Sequence, residues 1–324
     1  REAVADAGLR FTKKLAQRTA VVHGTGIGGQ NTQEASYHSI YACSAKRVHP
    51  FTIPKIMPNA GCSHISIEFG ITGPSFTTAT ACSSAGHAIG LAYMMLRQGM
   101  VDVALSGGGE ACITPGTMMG WDSLRVTSND TCRPFSKNRS GTVIGEGAAT
   151  LVLETLEHAL SRDAKIYAEI IGFGMSADAY NIIQPLQAGA ERALIMCMED
   201  ADLMCSDIQY INAHGTATRQ NDITETRAIR AVFGEEATRL SVSSTKSMHG
   251  HTLGAAAALE SLAVITALQR QKVPATMNFT AVDPECDLDY VPNEARALSI
   301  ENALCNSFAF GGLNTVLGFR RYQR

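Results

Sequence analysis

Cys82 sits inside Thr80-Ala81-Cys82-Ser83-Ser84, where an apolar, β-branched run meets a helical pattern. The run Pro74–Ala81 reads as a buried strand. After it, Ala85, Ala88, Ile89, Ala92, Met95 and Leu96 recur at helical spacing, and Gly99 supplies the stop. A cysteine at such a turn faces free backbone N–H groups and the positive end of a helix dipole. Both favour the thiolate, the nucleophilic form, so a lowered thiol pKa is expected. Two later segments carry histidines: Asn212-Ala213-His214-Gly215-Thr216 and Lys246-Ser247-Met248-His249-Gly250-His251. A thiolate attacks an acyl thioester and takes its acyl group. A carbanion to meet it is made by decarboxylating a β-carboxy thioester, and two neutral imidazole N–H donors stabilise the developing enolate. His214 and His251 suit that pair, and Lys246 can orient one imidazole. The Gly-rich turn Phe310-Gly311-Gly312 lets backbone N–H groups reach an acyl oxyanion.

The elements that must position these groups alternate. Strands are expected at 19–23, 74–81, 101–106, 150–153, 168–173, 210–213, 241–243, 302–310 and 315–320. Helices are expected after Cys82 and at 157–161, 188–201, 222–232 and 255–269, the last with few polar groups and therefore buried. Strand–helix alternation implies a layered α/β architecture around buried sheets.

With 324 residues, 45% hydrophobic and 18% charged, the chain has the composition of a soluble globular protein. A net charge of −3 with dispersed Lys and Arg gives no support for nucleic-acid binding. No apolar run reaches the ~20 residues of a membrane span. Residues 1–18 look like the tail of an amphipathic helix with a charged loop, so an N-terminal piece is expected to precede them. Nine cysteines without a CxxC pair exclude a zinc framework and suit reduced thiols in a cytoplasmic setting. Cys43, Cys62, Cys197 and Cys205 are expected in the core. His64 and His87 read as structural. His249 and His251 form His-x-His without a third ligand at useful spacing, which argues against a metal. Gly24-Thr25-Gly26-Ile27-Gly28-Gly29 satisfies G-x-G-x-x-G after a strand. Positions 44–49 lack the acidic residue a dinucleotide site needs, so a tight structural turn is expected.

Four ordered motifs carry a resemblance: Thr80–Ser84, Asn212–Thr218, Lys246 through His251 to Ala256, and Asn306–Asn314. Cys132-Arg133-Pro134-Phe135 and Gly145-Glu146-Gly147 add to it. Over essentially its whole length the chain resembles the decarboxylating Cys-His-His β-ketoacyl-acyl-carrier-protein synthases of the thiolase-like superfamily. The resemblance implies an α/β thiolase-like fold of two pseudo-symmetric halves in five α-β-α-β-α layers. The halves would span 1–164, with the nucleophile, and 165–324, with both histidines and the lysine. It implies Cys82 as acylated nucleophile, His214 and His251 as the decarboxylation pair, Lys246 as supporting lysine and Glu260 as buried acid. Phe310 would be an aromatic gate whose N–H forms the oxyanion hole with that of Cys82. Thr216 and Thr218, with Gly311 and Gly312, would hold the phosphopantetheine arm. It further implies no resident cofactor, an acyl carrier protein as partner, acyl and malonyl thioesters as substrates, and a homodimer, or a heterodimer with a chain-length-factor-like subunit.

Ala257 and Ala309 replace the family's usual glycines, Arg219-Gln220-Asn221-Asp222 replaces Pro-x-Gly-Asp, and His249 replaces a small residue or threonine. With the segment Asp283–Asp289 and Pro292-Asn293, these features look similar to the nodulation-type branch. Competing readings have specific counter-signals. A thiolase needs a second cysteine in a C-terminal Cys-x-Gly turn. A Cys-His-Asn synthase lacks His251. A non-catalytic chain-length-factor-like partner would lack Cys82, and a cysteine hydrolase has no use for a second histidine.

Overall fold

Val, Ile, Ala and Gly dominate the strands, and Ala and Gly dominate the helices that cross between them, so backbones approach closely in every layer. The computed structural model describes residues 1–323. The first half contains α1 (Glu2–Asp6), α2 (Lys13–Gln17), β1 (Thr19–Gly24), α3 (Gln30–Tyr41), α4 (Thr52–Ile56), α5 (Ala60–Phe69) and β2 (Ser75–Thr78). It continues through α6 (Ser84–Arg97), β3 (Val103–Glu110), α7 (Pro115–Ser123), β4 (Gly147–Glu154) and α8 (Leu156–Ser161). The second contains β5 (Glu169–Ala177), α9 (Gln187–Asp200), β6 (Tyr210–Asn212), α10 (Arg219–Phe233), β7 (Ser241–Ser243), α11 (Lys246–His249) and α12 (Ala256–Arg270). The short β8 (Lys272–Val273) and β9 (Arg296–Ala297) precede the closing strands β10 (Asn302–Ala309) and β11 (Leu313–Arg320).

One sheet has the order β2-β1-β3-β4 and the other β5-β11-β10-β6-β7. The central pairings repeat. β1 lies parallel to both β2 and β3, and β3 is antiparallel to β4; likewise β6 lies parallel to both β7 and β10, and β10 is antiparallel to β11. α6 and α12 fill the layer between the sheets, α9 and α10 cover the outer face of the second, and α1 and α5 lie against the first. This is the expected five-layer α-β-α-β-α arrangement. The inter-sheet core joins Ala85 and Ile89 of α6, Ala257 and Val264 of α12, and Phe173, Leu317 and Phe319 of the second sheet. Burying each large side chain is worth roughly 1.5–3 kcal/mol. α6 comes so close to the second sheet that a Cβ on Gly90 would lie 2.2 Å from the Phe173 ring, and one on Gly86 would lie 2.2 Å from Thr315 Oγ1.

Three expectations are corrected. The run 74–81 is not a buried strand: β2 is four residues long at the sheet edge, paired only with β1, and Ser75 and Phe76 are exposed. Cys43 is exposed, because it follows α3 outside the layers, and Cys205 is only half-buried. Helices α3, α5 and α7 stand where no helix was expected. Their apolar spacing is weak because much of their surface is not covered by either sheet.

Candidate active site

The two central helices begin alike. A 3₁₀ turn, Ala81–Ser83, leads into α6, and another, Leu253–Ala255, leads into α12. Ala81 (φ 50°) and Leu253 (φ 47°) both adopt left-handed backbone, which turns the chain sharply from strand or loop into helix. The first turn carries Cys82. The second follows His251, whose backbone N–H donates to Val143 O at 2.7 Å. Ser83 Oγ lies 2.8 Å from Ser307 O and 2.7 Å from Leu313 O and shares its single hydrogen between them, tying the nucleophile's turn to both closing strands.

His251 Nε2 lies 3.0 Å from Cys82 Sγ. The His214 and His251 rings meet edge-on, with centroids 5.4 Å apart at 85°. His214 leaves the end of β6, and its backbone N–H and that of Gly215 donate to buried Glu225, each at 2.8 Å. Lys246 is wholly buried at the start of α11. Its Nζ donates to His214 O at 2.6 Å, lies 3.4 Å from His214 Nδ1 and pairs with Glu260 of α12. An ammonium facing Nδ1 leaves the proton of a neutral His214 on Nε2, the atom free to donate to a substrate.

Burial, then the Lys246 charge, holds both imidazoles well below their ordinary value, so both are neutral at pH 7. The expected low thiol pKa is overturned. Burial pushes Cys82 up to about 11, against the pull of Lys246 and of the backbone N–H groups of Phe310 and Cys82 itself. Removing water from the sulfur outweighs the nearby donors, so the resting pair is a neutral thiol beside a neutral imidazole. The backbone N–H groups of Phe310 and Cys82 itself face the sulfur.

A cavity of about 390 Å³ opens onto Cys82, His214 and His251. Thr216 and Thr218 line it, with their hydroxyls 2.9 Å apart. Phe310 lines it too, stacked on Trp121 with centroids 5.7 Å apart and 27° between planes. Gly311 and Gly312 do not. They form the β10–β11 turn behind Phe310, with φ 85° and 68°, where Gly311 N–H donates to Ile182 O and Gly312 packs on Asp178. Lys246 and Glu260 lie behind the histidines rather than on the cavity wall. His249 turns away from His251 toward Thr245 Oγ1 and Gly250 O, so the two rings do not converge on one point. His87 bonds Thr80 Oγ1 and Ser83 O on the nucleophile's own turn.

Sequence reasoning missed Trp121, Glu110 and Arg139. Trp121 is the chain's single tryptophan and follows a Pro-initiated helix start, which was a usable signal. Arg139 lines the cavity and pairs with Asp222 and Asp283, and Glu110 binds the loop at Thr25–Ile27 and Gly254, all partners distant in sequence.

Residues 1–159 match the beta-ketoacyl synthase N-terminal domain, and residues 167–280 match the beta-ketoacyl synthase C-terminal domain. The chain belongs to the beta-ketoacyl synthase family. It is 47% identical over 321 residues to Nodulation protein E of Rhizobium sp. (strain N33), spanning 99% of this chain and 80% of that one. It is 43% identical over 330 residues to 3-oxoacyl-[acyl-carrier-protein] synthase 2 of Staphylococcus aureus (strain COL), spanning 100% and 80%. A beta-ketoacyl synthase structure from Burkholderia phymatum STM815 superposes with a TM-score of 0.93 at 38% identity, covering 99% of this chain and 80% of that one. The ishigamide ketosynthase/chain length factor superposes at 0.94 with 35% identity, covering 99% and 79%. The fold is thiolase-like, and the synthase is an acyltransferase-type condensing enzyme.

Proposed function

We propose that this β-ketoacyl synthase extends acyl chains by two carbons, with Cys82 as the acylated nucleophile. The observation that carries this is the 3.0 Å contact between Cys82 Sγ and His251 Nε2, beside the edge-on His214 ring. His251 takes the thiol proton on Nε2 as Cys82 attacks the acyl thioester, the carbonyl–sulfur bond to the carrier breaks, and His251 passes that proton to the carrier's sulfur, which leaves as a thiol. The tetrahedral oxyanion is held by the N–H groups of Phe310 and Cys82. Malonyl thioester then enters along Thr216 and Thr218. Its carboxylate leaves as carbon dioxide while His214 and His251 donate to the enolate oxygen, His251 now as its Nε2–H tautomer because the acylated sulfur has no proton to offer it. The enolate carbon attacks the acyl carbonyl, the bond to Cys82 Sγ breaks, and the departing thiolate takes one proton from solvent to restore the thiol. Glu260 balances the Lys246 charge, and Lys246 sets the His214 tautomer. No bound cofactor enters these steps.

Acyl carrier protein is the partner this reading needs, delivering phosphopantetheine through the cavity mouth. A homodimer is the proposed assembly. The unpaired edge of β2, with exposed Phe76 on it and exposed Ile67 on the adjoining α5, supports it, since a bare edge strand with apolar neighbours is suited to pairing. The proposed halves are 1–164 and 165–324, a division supported by the interval between the sheets, whose strands end at Glu154 and begin at Glu169. No helix among the described residues is long and apolar enough to cross a membrane, and a cytoplasmic location fits nine free thiols. The greater identity to Nodulation protein E supports a specialised acyl product. A chain-length-factor-like partner role is disfavoured by the intact Cys82–His251 pair.

Intact-protein mass spectrometry with a panel of acyl carrier proteins, then malonyl carrier, tests the reading. Acyl-Cys82 should form, be absent in Cys82→Ala, and discharge as a product two carbons longer. No acylation by any carrier, or acylation that persists in Cys82→Ala, refutes it.

A further inference from the structure

The Gly-rich loop that follows β1 has a ligand, and the ligand is internal. Glu110, at the end of β3, is 4% exposed and puts both carboxylate oxygens into that loop. Gly26 N–H donates to Oε2 at 2.5 Å, Ile27 N–H to Oε1 at 3.2 Å and Thr25 Oγ1 to Oε1 at 3.0 Å. The fourth donor comes from elsewhere: Gly254 N–H reaches Oε2 at 3.0 Å, from the 3₁₀ turn three residues after His251. A run of backbone N–H groups around a carboxylate is an anion nest, here filled by a side chain rather than a phosphate.

The same loop touches the nucleophile's turn. A Cβ on Gly24 would lie 2.4 Å from Ala85 N in the first turn of α6, and one on Gly26 would lie 3.7 Å from Ala81 O. On its other side, a Cβ on Gly254 would lie 2.1 Å from Gly26 N. The loop is thus wedged between the turn that carries Cys82 and the turn that follows His251, and only glycines let it fit. We infer that Glu110 is a positioning residue, whose buried carboxylate clamps this loop to the turn after His251 and so sets the Cys82–His251 contact. Its negative charge also opposes ionisation of Cys82.

The inference rests on the Cys82–His251 assignment, and the Cys82→Ala acylation control tests that assignment separately. The decisive variant is Glu110→Gln, of the same shape without the charge. Its NH₂ group cannot accept from the loop donors, so the clamp opens. A 1 Å misplacement of reacting groups costs up to about 10²-fold. The expected result is a folded enzyme with unchanged KM for malonyl carrier and a kcat lowered about 10- to 100-fold. The pH inflection for iodoacetamide alkylation of Cys82 should also move down, because the opposing charge is gone. A wild-type kcat, or a lower kcat with KM raised in step and an unmoved alkylation profile, overturns the inference. Should the glutamine variant not fold, Thr25→Val removes one donor and leaves the charge. A lowered kcat at unchanged KM then supports the clamp, and a wild-type kcat overturns it.

Discussion

Replacing each histidine with alanine should separate two half-reactions that a shared active site would otherwise merge. With the thiol at about 11 against an ordinary 9.0, two units separate them, so Cys82 carries about 10²-fold less thiolate than a free cysteine. At pH 7.5 that leaves about three thiols in 10⁴ ionised. Acylation therefore depends on proton removal during attack, and among the described residues His251 is the side chain that hydrogen-bonds the sulfur. General-base catalysis contributes about 10²–10⁴, so His251→Ala should slow acylation at least about 10²-fold. Decarboxylation should fall about 10²–10³-fold as well, the usual loss for one oxyanion donor. His214 faces the His251 ring, Lys246 and Phe308, not the sulfur. His214→Ala should therefore lower decarboxylation by a similar factor and leave acylation within about tenfold. Single-turnover mass spectrometry reads acylation, and carbon dioxide release from malonyl carrier reads decarboxylation. Equal loss of acylation in both variants would refute the division of labour, as would normal decarboxylation in His251→Ala.

Two further predictions concern the buried charges. Lys246→Ala strands Glu260 without its cation and should destabilise the fold by about 3–5 kcal/mol in urea denaturation. Adding Glu260→Gln should recover much of that loss, and a single-variant loss under about 1 kcal/mol would refute the pairing. For pH, burial holds His23 and His249 at about 4 and holds His214 and His251 well below their ordinary value, while unfolded histidines take protons near 6.5. These groups make stability fall as pH drops from about 6.5 toward 4. Asp222 opposes them. Burial raises it to about 7 from 3.8, against the pull of Arg139, so the folded state keeps a proton that the unfolded chain releases, and that stability is lost as pH rises through 7. Asp222→Asn removes the opposing contribution, so melting temperature should fall more steeply between pH 6.5 and 4. An unchanged or shallower slope would show that Asp222 is not displaced.

The layered α/β class and the chemistry were legible because both depend on local pattern. Ala-rich helical periodicity after Cys82 and after His251 marked the two central helices, and short apolar runs marked β1, β3, β6, β10 and β11. Cys82, His214, Lys246 and His251 each stand at the end of a strand or the start of a helix, where local turn signals place them. What the chain alone did not show was context. β2 looked buried because Phe76 and the β-branched Thr77 and Thr78 suit a strand, but its place at the sheet edge depends on which strands pair. Cys82 looked like a low-pKa thiol because its turn supplies N–H groups, while the burial that reverses this comes from separate segments carrying Cys112, Ile144, Leu253 and Ala309. The Gly24–Gly29 loop matched a phosphate-binding pattern. That its anion is Glu110 depends on β3 lying beside β1 and on the turn after His251 closing over both. Local backbone preference is written in a few neighbouring residues. Desolvation, edge position and long-range charge pairing are properties of the folded whole, and these set the proton positions at Cys82, His214 and His251.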